Sequence, residues 1–303
     1  MPARALLKTA LEQGLLRSGL PGISGRLRRA DVLILAYHNV VPHGERVVGD
    51  GSLHLSRSAF AAQLDALLET NEVVPLESAL SGASTIHGRT RVAITFDDAY
   101  RGAVVAGVEE LVARSLPATI FVPPALLNDG VFWWDALTPA GMPGLAPAVR
   151  QDALQRMAGK GSAILGARAG SDPQRIPPHA RGASEEELRR AAEQPGITLA
   201  SHTWSHPNLA ALAPAELEEE LERPLAWLRE RFAGALPFIS YPYGLSSPGV
   251  ERAAAAAGYE AALRIDGGWL RDGSRNRYAI PRLNVPSGIS DAGFRLRCSG
   301  LLA

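Results

Sequence analysis

Asp97 and Asp98 follow directly on the apolar run Val92-Ala93-Ile94-Thr95-Phe96, and His202 and His206 follow the run Ile197-Thr198-Leu199-Ala200. Two carboxylates side by side at the end of a buried strand repel each other where water is scarce, and a divalent cation relieves that cost. The competing reading is that one Asp caps the helix beginning near Ala99 or Tyr100. Two imidazoles four residues apart, on a single helical turn, would share one face within reach of one ion. Alone this His-x3-His spacing is a weak pattern, but beside the Asp pair it becomes specific. Two His and one Asp leave coordination positions open to water, which is the arrangement of a catalytic metal site and not of a closed structural one.

Composition narrows the donors. Cys298 is the only cysteine of the 303 residues, so neither a disulfide within the chain nor a thiolate cluster is available, and any metal must sit on His and carboxylate. The 31 Lys and Arg balance the 31 Asp and Glu, which argues against a whole-surface electrostatic grip on nucleic acid. No run approaches the ~20 apolar residues of a membrane span, and the N-terminus lacks the uninterrupted apolar stretch of a signal peptide. The expected location is therefore cytoplasmic, with a peripheral place at the inner membrane as a refinement.

The elements that must position these residues read as alternating strands and helices. Val32 to Tyr37, ending at His38, is too short and too uniformly apolar for a helix and reads as a buried parallel strand. A helix capped by Ser56 or Ser58 precedes a short strand at Val73-Val74. The strand ending at Asp97 leads into a helix over 100–114 and a strand over 118–122. That rhythm specifies a parallel sheet with right-handed crossovers. Residues 128–183 break it, with a weak helix over 147–158 and a polar stretch over 170–182 expected to be mobile, and read as an insertion or lid. Ser184 and Glu187 then fit a capping box. Further strands are expected at 197–200, 237–241, 259–264 and 278–285, with helices at 214–232 and 248–257. In parallel α/β folds ligands bind outside the carboxyl ends of the strands. Here those ends carry His38, Asp97-Asp98, His202 with His206, and Tyr241-Pro242-Tyr243-Gly244.

These residues resemble the polysaccharide deacetylase family, carbohydrate esterase family 4. Thr95-Phe96-Asp97-Asp98 is similar to its first motif, and His202-Thr203-Trp204-Ser205-His206 to its second, within a resemblance spanning residues 32–285. The Tyr37-His38 pair is similar to the exopolysaccharide-type branch. The resemblance implies an α/β fold, a distorted (β/α)7-type barrel, and the residues at the strand ends mark it as a single domain over 31–303 with an N-terminal helical extension over 1–30. The resemblance further implies metal-dependent hydrolysis of an acetyl group, N-acetyl above O-acetyl, on a sugar. Asp98, His202 and His206 would hold a divalent metal, Zn2+ by the family's habit, Asp97 would act as general base, and the backbone N–H at Tyr243 would receive the oxyanion.

The chain departs from the family pattern in three places. Ser240 stands where the third motif usually has Arg, so the charge orienting the base must come from elsewhere; Arg282 is the candidate, against a reading as an ordinary ion pair. No His follows His206 to act as general acid. Among His38, His43, His54, His87 and His179, His38 is the best substitute, with a buried core histidine as its competitor. The fourth motif's Asp and Trp are only loosely echoed by Asp266 and Trp269. Trp269 is a candidate wall of the acetyl pocket, and Trp134 of Phe132-Trp133-Trp134-Asp135 a candidate wall of the sugar site, though large aromatics more often serve the core.

The expected function is thus sugar deacetylation in glycan or glycoconjugate biosynthesis. The alternatives are hydrolysis of a non-sugar amide on the same barrel, or a carbohydrate-binding barrel without catalysis. Within residues 1–30, Arg4, Lys8, Arg17, Arg26, Arg28 and Arg29 face only Glu12, and Leu6, Leu7, Leu11, Leu15 and Leu16 recur at helical spacing. Such a segment suits peripheral contact with an anionic membrane, where a lipid-linked or nucleotide-linked glycan would be met. The alternative is a helix packed on the body of the protein.

Overall fold

The structure is a computed structural model that describes residues 2–81, 89–167 and 172–302; His87, Gly170 and the side chain of Leu6 lie outside the description. Its strands are β1 (Val32–Tyr37), β2 (Asn39–Val41), β3 (His54–Ser56), β4 (Asn71–Val73), β5 (Thr90–Phe96), β6 (Ala118–Val122), β7 (Ile197–Ser201), β8 (Phe238–Ser240), β9 (Ala261–Gly267), β10 (Trp269–Leu270) and β11 (Ile280–Asn284). Seven of them, β1, β5, β6, β7, β8, β9 and β11, close into a parallel barrel, because β1 pairs with both β5 and β11. Every residue of β1, β5 and β6 is buried, as expected for strands covered on both faces.

The register explains why the barrel is distorted. Val92 of β5 pairs with Leu33 of β1 on one edge and with Val73 of β4 on the other, whereas Thr95, further along, pairs with Ala36 and with Thr119 of β6. One edge of β5 thus changes partner halfway. The free edge of β1 does the same, taking antiparallel β10 at Val32 and Leu33 and parallel β11 at Leu35 and Ala36. The ring is closed at the carboxyl ends of its strands and splayed by two extra strands at the amino ends.

Helices follow the expected rhythm. Ser56 caps Arg57–Thr70 with its side chain on the Ala59 N–H, and the capping box of Ser184 and Glu187 opens Glu185–Ala192. The long acidic helix is Pro214–Arg231. Elements with no counterpart in the sequence reading include the β2–β3 pair, β10, a short helix Leu76–Leu80 and a final helix, Asp291–Cys298. The insertion holds more order than its composition suggests. It contains helices Trp133–Leu137, Pro147–Arg156 and Gly161–Ala167. The stretch expected to be mobile is, over its described part 172–182, a pair of 3₁₀ turns with Ile176, His179 and Ala180 buried. Arg175 donates to the carbonyls of Asp135 and Ala136, and Arg181 to those of Ile176 and Pro173, which replaces the missing secondary-structure bonds.

The N-terminal segment forms helices Pro2–Arg17 and Leu20–Leu27, the first packed on Asp291–Cys298 and the second reaching the start of β5. The buried Glu12 side chain accepts from Ser290 Oγ at 2.5 Å, the Gly25 carbonyl accepts from Thr90 Oγ1, and Arg28 lies over the Trp269 ring. No helix of the described residues is long and apolar enough to cross a membrane.

Candidate active site

At the carboxyl ends of the barrel strands a cleft of about 440 Å³ gathers His38, Asp97, Asp98, His202, His206, Trp134 and Tyr243. The ends of six strands, β1, β5, β7, β8, β9 and β11, and the insertion contribute to it. β5 ends at Phe96, after which Asp98 and Ala99 take left-handed backbone conformations (φ 70° and 51°). This turns the Asp98 carboxylate toward the two histidines instead of onto the next helix, and the alternative of a simple helix cap does not describe it.

The expectation that one helical turn presents His202 and His206 is corrected by the structure. Residues 202–208 form a loop, with Thr203 and His206 in the left-handed region (φ 65° and 63°). Pro207 disfavours helical backbone at the residue before it, which is His206. The loop is held by its own side chains and by one from outside. The Thr203 N–H donates to Ser201 Oγ, and the His206 N–H to Thr203 Oγ1. Glu220, on the acidic helix, accepts from the N–H groups of Trp204 and Ser205 at 2.9 and 2.8 Å and from Ser205 Oγ at 2.5 Å.

Asp98 Oδ1 stands 3.1 Å from His206 Nε2 and 3.4 Å from His202 Nε2. The three side chains are buried, and their donor atoms lie within 4.8 Å of one another. Asp98 Oδ1 nevertheless makes no hydrogen bond. A buried carboxylate oxygen without a partner is costly, and two nitrogens facing it make the set one that a divalent cation fits. His202 is oriented by Nδ1 against the Ser240 carbonyl at 2.8 Å, which leaves Nε2 to the cleft. Burial opposes ionisation of Asp98, but the two imidazoles hold its carboxyl far below the usual range. Burial likewise disfavours the charged imidazoles; the neighbouring carboxylates outweigh it at His202, raised on balance, and do not at His206, which stays lowered.

Asp97 faces the other way. Arg282, fully buried on β11, donates Nη1 to Asp97 Oδ1 at 2.8 Å and Nη2 to Oδ2 at 2.6 Å. The same guanidinium reaches Ser240 Oγ, Thr95 Oγ1 and the Arg264 carbonyl, so all its bonds are directed. Ser240 Oγ itself donates to Asp97 Oδ2 at 3.2 Å. Burial raises the Asp97 carboxyl, but Arg282 and then His202 hold it below the usual range. It remains ionised at neutral pH. His38 lines the cleft with Asp98, Asp97, Arg282 and His202 as its charged neighbours; burial lowers its pKa against the pull of the two carboxylates.

Tyr243 sits in a left-handed turn (φ 59°) after β8. The turn closes with the Gly244 N–H on the Tyr241 carbonyl and the Leu245 N–H on that of Pro242, outside which the Tyr243 N–H remains. Its hydroxyl accepts from Trp133 Nε1 and reaches the His206 carbonyl at 3.2 Å. Trp134 lines the cleft with its ring centroid 5.0 Å from that of His206, but only 2% of the residue is exposed. It is a wall, with too little free face to be a stacking platform. Trp269 is not in the cleft. It pairs with Leu33 at the amino end of β1, beneath Arg28, so the expectation that it lines an acetyl pocket is corrected: it closes the opposite end of the barrel. Asp266 pairs with Arg264 at the surface.

One feature of the wall was absent from the sequence reading. The buried Asp135 carboxylate accepts from the Asp50 N–H and faces His54 Nε2 through Oδ1, at 2.8 and 3.0 Å, and accepts from Tyr100 OH at 2.7 Å through Oδ2. Tyr100 OH in turn accepts from Trp134 Nε1, and Asn39 contacts His54 Nδ1. The backbone at Gly49 comes so close that an added Cβ would stand 2.2 Å from Asp135 Oδ1. This hub ties the insertion to β2, β3 and the turn after β5 at Tyr100, and thereby fixes Trp134 against His206.

A family model for polysaccharide deacetylases matches residues 85–262, more than half of the chain. A protein of Bacillus subtilis (strain 168), YxkH, named for the same family, is 29% identical over 117 residues, which make up 38% of this chain and 41% of that protein. The match thus spans under half the length of that relative. Among solved structures, Streptococcus pyogenes deacetylase PplD in complex with acetate superposes with a TM-score of 0.59 at 16% identity, over 87% of this chain and 96% of that one. IcaB from Ammonifex degensii gives 0.59 at 18% identity, over 90% and 98%. At such identities these likenesses establish the barrel fold.

Proposed function

The chain belongs to the polysaccharide deacetylase family, and from that premise we propose that it is a metal-dependent hydrolase removing an acetyl group, N-acetyl in the first instance, from a sugar in glycan or glycoconjugate assembly. The observation that carries the reading is the division of labour between adjacent carboxylates: Asp98 opens toward two imidazoles, while Asp97, one residue away, is locked onto Arg282. In this reading Asp98, His202 and His206 hold a divalent cation, zinc by preference. When bound there, the ion would polarise the acetyl carbonyl and make water acidic enough to lose a proton near neutral pH.

The chain's own groups then act as follows. Asp97, ionised and fixed in direction by Arg282, takes the proton from the attacking water. The new bond joins the water oxygen to the acetyl carbon, and the Tyr243 N–H donates to the oxygen on which charge develops. When the carbon–nitrogen bond breaks, the leaving nitrogen needs one proton to depart as an amine. Burial keeps His38 neutral, so it enters the reaction with none to spare; the proton captured by Asp97 is delivered directly or relayed through His38. The products are acetate and a free amino sugar. Trp134 and Tyr243 close the cleft around His206 and limit access of bulk water.

The substrate we favour is an acetylated glycan, lipid-linked or nucleotide-linked, with a non-sugar amide as the competing class. Assaying acetate and free amine together separates them. Release of both from N-acetylated oligosaccharides, with none from simple N-alkyl acetamides, is expected; equal rates on the two would remove the sugar from the assignment. Acetate without amine, from O-acetylated sugars only, would replace the N-acetyl group by an ester.

A further inference from the structure

The N-terminal helices leave a face that the barrel does not cover. Leu7 and Leu11, one turn apart on the first helix, are 73% and 63% exposed, and Leu20, Ile23 and Leu27, spaced along one side of the second, are 44%, 54% and 82% exposed. Large apolar side chains in such density on so short a segment mark a contact surface. Lys8, Arg17, Arg26 and Arg29 surround them and are exposed as well. The one acid of residues 1–30, Glu12, is buried against Ser290 and offsets only Lys8, 3.7 Å away. Between these helices and the barrel lies a cleft of about 280 Å³ lined by Leu16, Arg26, Arg29, Arg89, Arg295 and Cys298. Arg295 is held by Glu69, and the Arg26, Arg29 and Arg89 guanidiniums in this cleft suit a phosphate.

We propose that this face docks the protein on the surface of an anionic phospholipid bilayer, with the leucines and Ile23 entering the headgroup boundary and the basic cleft taking a lipid phosphate. Charge selects this occupant over a second copy of the chain, since two such basic faces repel each other. The docking fixes an orientation. The second helix of the extension is anchored at the amino ends of the strands, by Gly25 on Thr90 and Arg28 over Trp269, and the first packs along Asp291–Cys298, whereas the catalytic cleft opens at the carboxyl ends. With the second helix lowermost, a docked molecule holds its cleft away from the bilayer, and glycan enters from the aqueous side.

The test is co-sedimentation of the full chain with vesicles of phosphatidylcholine alone or with phosphatidylglycerol. Binding to the anionic vesicles only, weakened by salt, is expected. Arg26→Glu with Arg29→Glu should lower the partition by at least about 10-fold, as each basic side chain near such a surface counts for most of a decade. Leu11→Asp with Leu27→Asp should do the same without altering circular dichroism. Absence of binding to anionic vesicles, undiminished binding of both double variants, or a concentration-dependent dimer abolished by the leucine changes would each overturn the proposal. A polarity-sensitive dye on Leu27→Cys should be quenched by a lipid-borne quencher and one on Leu245→Cys, at the rim of the catalytic cleft, should not. Quenching at both positions would refute the orientation.

Discussion

Asp97 carries the heaviest chemical demand in the cleft, because it must stay charged while almost out of reach of water. Its partner Arg282 is equally buried, so removing that partner strands a carboxylate. Arg282→Leu should cost about 3–5 kcal/mol of stability, read from urea unfolding, together with most of the turnover. Asp97→Asn keeps the shape and removes the base: acetate release should fall by about 10²–10⁴-fold while the protein still takes up its metal. Loss of metal in Asp97→Asn would mean that this residue is a ligand and that the division between the two aspartates is misread. Asp97, Asp98, His202 and His206 were legible in the sequence because the Asp pair and His202 come at the ends of apolar strand runs and His206 stands four residues past His202. Arg282 was legible only as a candidate, since 185 residues separate it from Asp97 and only the β11 register brings them together. Trp269 misled because an aromatic near a strand end looks alike at either end of a barrel; its antiparallel pairing with Leu33 decides which end.

At the scale of elements, the loop after β7 matters most. Its two left-handed residues and the Glu220 cradle set where the imidazoles point, and neither was readable from His-x3-His spacing, which suggested a helix. Glu220 itself was hidden in the run Glu218-Glu219-Glu220 of an acidic helix that reads as a solvated face. We predict that Glu220→Ala lowers metal affinity by about 10–100-fold, measured by competition with a chelator. Unchanged affinity would show that Ser201 and Thr203 hold the loop unaided. The Asp135 hub was invisible for another reason: its members, Asn39, His54, Tyr100 and Asp135, are scattered and individually unremarkable in type. Gly49, where the backbone approaches Asp135, is its one trace in the sequence, and a loop glycine is too common to point to a buried carboxylate. By contrast the capping box of Ser184 was fully local and therefore readable. Ser184→Ala should cost about 1 kcal/mol in the same urea assay with no change in acetate release.

For the whole molecule, alternation of strands and helices announced a parallel sheet, but closure into a ring depends on β1 accepting both β5 and β11, and the splay at the amino ends on edges that change partner midway. Periodicity within one strand says nothing about its neighbours. The outer layer is clamped electrostatically: Glu110 bonds Arg57 Nε at 2.6 Å and Arg114 Nη1 at 2.7 Å. The Arg57 bond leads in holding its carboxyl below the usual range, against a smaller upward push from burial. A depressed folded-state pKa contributes stability above the unfolded value of about 4.3, and that stability is lost as pH falls through the folded value. The urea midpoint should therefore drop on acidification from pH 6 toward pH 3, and Glu110→Gln should reduce the drop; identical pH profiles would place the acid sensitivity elsewhere. The central claim is metal-dependent removal of acetyl groups from a sugar, and it meets its most direct test in acetate release from an N-acetylated oligosaccharide by chelator-stripped protein titrated with Zn2+. The account predicts no release without metal and a rise that saturates at one ion per chain, absent in Asp98→Asn. Saturable binding of one ion with no acetate released from N- or O-acetylated sugars would contradict it.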